Sequence, residues 1–252
     1  MLVGRTHEIA QLERMLEAAR GGRGATVVLR GEAGIGKTRL AEEAAGRAAG
    51  FTVLRARGWE LEANLPFSAM TDIVAPLRPL VDDLPPAQAR ALESALGVGP
   101  PAPGDRFAVY LALVGLLARA AGTAPLLAVI DDAQWLDLAS CEALAFASRR
   151  LAAAPVVFIA CVRRERRPDP VLPHGVELAL AGVDEESAAA LLSARAPVPV
   201  APEVVHRLHE ATRGNPLALA ELAVALAAPQ LAGRHPIPDP LPLSRGVAEG
   251  FA

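Results

Sequence analysis

Two groups of residues in this sequence have the types and spacing to do chemistry. Gly31, Gly36, Lys37 and Thr38 fit G-x-x-x-x-G-K-[ST] within the stretch GEAGIGKTR. Glycines let a backbone turn sharply, with its N–H groups converging on an anion. A helix that starts directly after such a loop adds its positive end. Lysine supplies a mobile point charge for β- and γ-phosphates, and Thr38 a hydroxyl for Mg2+. Lys37 is the only lysine among 25 Lys and Arg residues, so compositional bias does not account for it. The planar fork of arginine would not replace that point charge. The expected phosphate-binding set is therefore Glu32, Ala33, Gly34, Ile35 and Gly36, with Lys37, Thr38 and Arg39 opening the helix. An empty loop of this kind is expected to leave the Lys37 ammonium accessible, and bound nucleotide to cover it.

The second group is Asp131 and Asp132, which end the apolar run PLLAVIDD. In open α/β sheets ligands bind at the carboxyl ends of strands, so these carboxylates can reach the same phosphates. Asp131 is expected to hold Mg2+, through water, and Asp132 to polarise an attacking water. Arg163 follows a second apolar run, PVVFIACV, and would face the γ-phosphate if that strand lies beside the strand of the loop. Arg164, Arg166 and Arg167, in the run RRERRPDP, read instead as a solvated loop. Guanine recognition by N-K-x-D needs a second lysine, so ATP is the expected nucleotide.

The elements that must position these groups follow from periodicity. THEIAQLERMLEAARGG has helical spacing at Ile9, Leu12, Leu16 and Ala19, with Thr6 as N-cap and Gly21 as stop. Strands are expected over 25–30, 52–57, 125–132, 155–162 and 176–182. The runs at 125–132 and 155–162 are continuously apolar, as in parallel strands covered on both faces. Helices are expected after the glycine loop, through about 66–122 with breaks at DDLPP and GVGPPAPG, and at SCEALAFASRRLA. DEESAAALLSAR, PEVVHRLHEAT and NPLALAELAVALA are three further helices with no strand between them. Alternation of strand and helix argues for a parallel sheet with helices on both faces. The division expected is an α/β nucleotide-binding domain at 1–182, a helical lid at 183–228 and a proline-rich linker, or the start of another domain, at 229–252.

Composition narrows the partners. The net charge is −3 with a pI near 6.0, which gives no overall attraction to nucleic acid. Hydrophobic residues are 52% of the chain, enough for a substantial core. Cys141 and Cys161 lie in apolar surroundings and read as buried reduced thiols. The longest apolar run, FAVYLALVGLLA, is too short for a bilayer and closes at Arg119. The first residues are charged and helix-like, unlike a secretory signal, so a cytoplasmic location is expected. His206 and His209, three apart on a helix, lack a third ligand and read as a surface pair, while Trp135 reads as a packing residue.

Several stretches together resemble the STAND group of AAA-type ATPases (signal-transduction ATPases with numerous domains). More closely, they resemble the ATPase domain of the large ATP-binding LuxR-type transcription regulators of bacteria. LVGRTHEIAQLERML resembles the VGR box of AAA-type and STAND ATPases. LLAVIDDAQWLD resembles the extended Walker B, FIACVRRE the sensor strand, and RGNPLALAEL the lid motif G-x-P carried by Gly214, Asn215 and Pro216. The resemblance covers residues 2 to about 227 in the expected order. It implies a P-loop NTPase fold of the ASCE/AAA-like kind, a five-stranded parallel sheet followed by a small helical lid. The strand order it implies is 2-3-4-1-5, with the Arg163 strand between that of Asp131 and that of the loop. Val3, Gly4 and Arg5 would border the adenine, and Pro216 would close the pocket from the lid, with Asn215 and Arg213 as further candidates. Those regulators continue into a winged helix or helical sensor arm and end in a helix-turn-helix. This sequence ends at Ala252, so it reads as a truncated piece or a stand-alone ATPase, with no DNA-binding role assigned to its residues.

The leading expectation is a nucleotide-operated switch that binds ATP or ADP with Mg2+ and hydrolyses ATP slowly. Catalysis would rest on Asp132, Lys37 and Arg163, and metal binding on Thr38 and Asp131. Expected partners are the other domains of the regulator and further copies of the chain, with neither DNA nor membrane. The alternatives are a stand-alone phosphotransferase, which lacks an obvious acceptor motif, and a DNA-loading ATPase of the origin-recognition type.

Overall fold

The structure is a computed structural model that describes residues 2–100, 106–163, 172 and 175–243. In chain order it opens with helix α1 (Thr6–Arg20), strand β1 (Ala25–Gly31), helix α2 (Lys37–Arg47) and strand β2 (Thr52–Arg57). A helical insert follows: α3 (Ser68–Val74), a 3-10 stretch Ala75–Asp83, α4 (Pro86–Ala95) and α5 (Arg106–Ala121). The chain then runs through β3 (Leu126–Asp131), α6 (Leu138–Arg150), β4 (Val156–Arg163) and β5 (Val176–Ala179). Four helices end it: α7 (Glu185–Ser193), α8 (Pro202–Thr212), α9 (Pro216–Ala225) and the short α10 (Ala228–Leu231).

The strands form one sheet in the order β2-β3-β4-β1-β5, the order implied above. β3 pairs in parallel with β2 and with β4, with Asp131 opposite Arg57. Residues 126–130 of β3 and 156–162 of β4 are buried without interruption, as expected for strands covered on both faces. At the β1–β5 margin Arg30 pairs with Glu177 at 3.1 Å. α6 starts two residues earlier than periodicity suggests, because Asp137 caps it by accepting from the Ser140 N–H at 2.8 Å. β5 stops at Ala179, short of the expected 182.

The chain divides into two compact units. The larger contains Ile9–Arg30 and Ala41–Leu178. Its core joins the sheet to the insert through Leu54, Met70, Ile73, Leu113, Leu116, Ile130 and Phe158. Here Cys141 and Cys161 are buried thiols outside any disulfide, and burial, with Asp137 and Glu142 adding to it, pushes Cys141 up to about 12. The smaller unit contains Met1–Glu8, Gly31–Leu40 and Ala179–Ala252. Its core is built from α7, α8 and α9 through Ala188, Leu192, Leu208, Leu219 and Leu222. The described part of the expected linker differs from a free segment. Leu231 and Ile237 are buried in this same core, and Leu241 and Leu243 pack on it, because apolar residues interleave the prolines. Arg164, Arg166 and Arg167 lie outside the described residues.

Candidate functional site

The glycine loop leaves β1 at Gly31 and enters α2 at Lys37. Gly34 and Gly36 have φ of +76° and +102°, left-handed values that favour glycine. A Cβ at Gly36 would meet no described atom within 4 Å, so that side of the loop is open. The first ladder bond of α2 runs from the Leu40 N–H to the Gly36 carbonyl at 2.9 Å. The amides of the first turn thus stay outside the helix's own ladder and face the loop. This is the geometry of an anion cradle.

Lys37 does not present an accessible ammonium. It is buried, 9% exposed, and its Nζ donates to the carbonyls of Gly31 at 2.8 Å and Glu32 at 2.7 Å. A buried ammonium must find acceptors, and here the nearest carbonyls of its own loop serve. Thr38 and Arg39 are exposed in the first turn of α2.

Two side chains from distant parts of the sequence hold the outer carbonyls of the loop. Arg5 is 4% exposed. It donates to the Ile35 carbonyl at 3.1 Å and the Ala181 carbonyl at 2.6 Å, and pairs with Glu8 at 3.1 Å. Asn215 is 2% exposed. Its Oδ1 caps α9 by accepting from the N–H groups of Leu217 at 3.0 Å and Ala218 at 3.3 Å. Its Nδ2 donates to the Ala33 carbonyl at 2.9 Å. A Cβ on Gly34 would stand 2.7 Å from the Cβ of Leu217, so only glycine admits this approach. Gly4, with φ +70°, rests on α7, where an added Cβ would lie 2.7 Å from Ser187 Oγ. Val3 and Pro216 are half-buried, and Arg213 is an exposed left-handed residue that ends α8.

In the larger unit, β3 ends at Asp131, and Asp132 follows in a left-handed conformation with φ 46°. Gly58 lies against this turn and donates its N–H to the Asp131 carbonyl at 2.9 Å; an added Cβ would stand 2.4 Å from the Asp132 carbonyl oxygen. The Asp132 carboxylate takes a hydrogen bond from Arg57 at 3.0 Å and from Gln134 Nε2 at 3.0 Å, with Arg163 Nε at 3.8 Å. Gln134 also accepts from the Arg163 backbone N–H at 3.2 Å, which links the turn to the end of β4. β4 does neighbour β1 in the sheet, the condition set for Arg163. Behind the turn, Asp137 is 2% exposed and accepts from Phe67 N–H at 2.8 Å as well as from Ser140 N–H. It thereby fixes the chain entering α3 as well as the start of α6.

The structure thus gathers Arg5, the loop and Asn215 in one unit, and Asp131, Asp132 and Arg163 in the other. Sequence reasoning missed Arg57 and Gln134, for which no motif speaks. It underrated Asn215, although an Asn before a Pro at a helix start is a capping signal. His206 and His209 are not a metal pair: His206 contacts Glu185 at 3.2 Å and His209 the Val183 carbonyl at 2.9 Å. No metal-binding cluster of His, Cys, Asp or Glu occurs among the described residues, and no described helix is long and apolar enough to cross a membrane. A cavity of about 440 Å³ lies in the insert, lined by Thr71, Val74, Arg78, Leu92 and Glu93 among others, and includes no residue of the loop or the turn.

Comparison with known proteins adds to this geometry. The sequence pattern of the AAA ATPase domain family matches residues 1–159. No curated protein matches the chain in sequence. Among solved structures, a RuvB variant from Thermotoga maritima is similar with TM-score 0.52 and 18% identity, covering 88% of this chain and 61% of that one. A chain of the E. coli HORMA:CdnC:Trip13 complex is similar with TM-score 0.51 and 19% identity over 84% of this chain and 74% of its own length. A STAND protein with a tetratricopeptide repeat sensor from Pyrococcus horikoshii has TM-score 0.52 and 17% identity over 85% of this chain and 30% of its own. This chain therefore spans less than two thirds of the RuvB and STAND chains. At these identities the likeness is one of fold, the α/β fold of P-loop NTPases.

Proposed function

Because this chain belongs to the AAA ATPase domain family, we propose that it binds ATP and hydrolyses it slowly as a nucleotide-operated switch. The observation that supports this most is the loop after β1, with left-handed Gly34 and Gly36 and with Lys37 opening α2. On binding, Lys37 exchanges the carbonyls of Gly31 and Glu32 for β- and γ-phosphate oxygens. Thr38 and Asp131 offer the oxygen donors that Mg2+ prefers, and the ion would neutralise charge on the phosphate chain. Asp132 orients the attacking water, and Arg163 answers the charge of the γ-phosphate. Val3, Gly4, Arg5 and Pro216 border the adenine.

In this proposal residues 1–182 form the nucleotide-binding part and 183–228 its lid. Binding energy from the γ-phosphate favours one arrangement of the two. The biological setting proposed is the ATPase part of a bacterial LuxR-type transcription regulator in the cytoplasm. Its partners are then the other domains of that regulator and further copies of the chain, and contact with DNA falls to those other domains.

Calorimetry with ATP, ADP and GTP, with and without Mg2+, and an assay of phosphate release test this. ATP and ADP are expected to bind, GTP more weakly, with slow release of phosphate. Lys37→Ala should weaken ADP binding by about 10- to 100-fold, the order of one charge-assisted contact to the β-phosphate, with an unchanged far-UV circular dichroism spectrum. Wild-type protein that binds no adenine nucleotide overturns the proposal.

A further inference from the structure

Asn215 lies in the lid motif, yet one of its three side-chain hydrogen bonds goes to the glycine loop. Its amide orientation is fixed by chemistry. Two N–H donors, of Leu217 and Ala218, face Oδ1, and a carbonyl, of Ala33, faces Nδ2. The reversed amide would set donor against donor and acceptor against acceptor. At 2% exposure the side chain has no water to turn to, so losing either contact leaves a buried polar group unpaired.

The contact with Ala33 fixes more than one atom. In a trans peptide the C=O of one residue and the N–H of the next point in opposite directions. Holding the Ala33 carbonyl toward α9 therefore directs the Gly34 N–H away from it. Arg5 does the same one step further on, since its hold on the Ile35 carbonyl directs the Gly36 N–H the other way. The carbonyls of Gly31 and Glu32 face the Lys37 ammonium, and that of Gly36 accepts from the Leu40 N–H. Carbonyls of the loop are thus divided among these donors, and the division decides which amides are left to converge on an anion.

We propose that Asn215 is a positioning residue that sets the phosphate loop from the lid: its hydrogen bond to Ala33 turns the Gly34 N–H toward the nucleotide's polyphosphate. This rests on the nucleotide-binding proposal above and names how the lid would influence it. Without the Asn215 hydrogen bond, the Ala33–Gly34 peptide loses its anchor and is free to rotate. Phosphate affinity then falls. By linkage, bound diphosphate strengthens the hold of the loop on α9 by the same factor.

The test separates the two duties of the side chain. Asn215→Ser keeps a helix-capping hydroxyl but is too short to reach Ala33 while capping, and it adds no charge. Asn215→Ala loses both duties. Wild type and both variants are titrated with ADP and AMP by competition against a fluorescent ADP analogue, beside thermal melts. Asn215→Ser is expected to melt below wild type but above Asn215→Ala, and to bind ADP about five- to tenfold more weakly, the worth of one hydrogen bond. Its affinity for AMP, which lacks the β-phosphate, should hold. Asn215→Ala should show the same ADP defect and a lowered melting temperature. Equal ADP affinity in wild type and Asn215→Ser overturns the inference alone. So does a loss of equal size for ADP and AMP, which would mark a general structural role. A wild-type protein that binds no ADP overturns the nucleotide proposal, and this one with it.

Discussion

The glycine loop and the aspartate turn are held in opposite ways. In the loop, side chains grip backbone: Arg5 takes the carbonyl of Ile35, Asn215 that of Ala33, and Lys37 those of Gly31 and Glu32. In the turn, side chains grip a side chain: Arg57 and Gln134 both take the carboxylate of Asp132. Burial follows the same division. Arg5 and Asn215 are 4% and 2% exposed, whereas Arg57 and Arg163 are 53% and 44% exposed. Buried polar contacts are costly to leave unmade, so the shape of the loop is set as the protein folds. Exposed ion pairs are worth little and exchange readily, so the carboxylate is restrained without being locked. The lesson is that buried contacts fix the loop while exposed ones leave the turn adjustable; under the proposed function, the first suits affinity and the second turnover.

That contrast can be broken most sharply at Asp132. If the turn serves turnover, Asp132→Asn should lower the rate of phosphate release by about 10²–10⁴, the range of general-base catalysis. Its affinity for ATP should stay within about twofold of wild type. Single-turnover release beside calorimetry reads both. An Asp132→Asn protein that hydrolyses ATP at the wild-type rate removes this residue from the chemistry and the contrast with it.

A smaller effect is expected at Arg163, which stands at the end of β4 beside the turn. Arg163→Ala should narrow the ratio of ATP to ADP affinity by about tenfold or more, since a charge-assisted contact contributes about 1.5–3 kcal/mol. An unchanged ratio assigns Arg163 to the restraint of Asp132 alone.

The smallest effect concerns the unit that carries the loop. The Glu185 carboxylate, through its hydrogen bond and with Glu210 nearby, raises the pKa of His206 above its ordinary 6.5. A raised folded-state value means the pair stabilises fully below about pH 6.5 and loses its contribution as pH climbs through the raised value. The melting temperature should therefore decline slightly over that window, and His206→Ala should flatten the decline. The side chain is exposed, so the change is expected to be small. An identical slope in the variant would show that the ion pair contributes nothing to the helical unit.

Much of the scaffold was legible before any coordinates. β3 and β4 are unbroken apolar runs, and only a strand covered on both faces uses such a run in six to eight residues. The loop could be read because Gly31, Gly36, Lys37 and Thr38 are local, and their backbone demands are written into residue type. The strand order came from family resemblance, since pairing partners cannot be read from a strand's own composition. The burial of Lys37 was not legible, because a mobile ammonium takes the nearest acceptors, and those are backbone carbonyls that every sequence possesses.

What the sequence by itself determined is therefore local: that a glycine loop joins a strand to a helix, which strands are buried, where the lone lysine stands, and that two carboxylates end a strand. What only the tertiary structure decided is who holds these groups. Asn215 reaches Ala33 across 182 positions and Arg5 reaches Ala181 across 176. Arg57 meets Asp132 across 75. Asn, Arg and Gln are common surface residues whose long or polar side chains suit many partners, so nothing in their own neighbourhood names one. Packing selects the partners of Asn215 and Arg5 by burying them among a few acceptors, and the pairing of β2 with β3 brings exposed Arg57 to Asp132; both exist only in the folded chain.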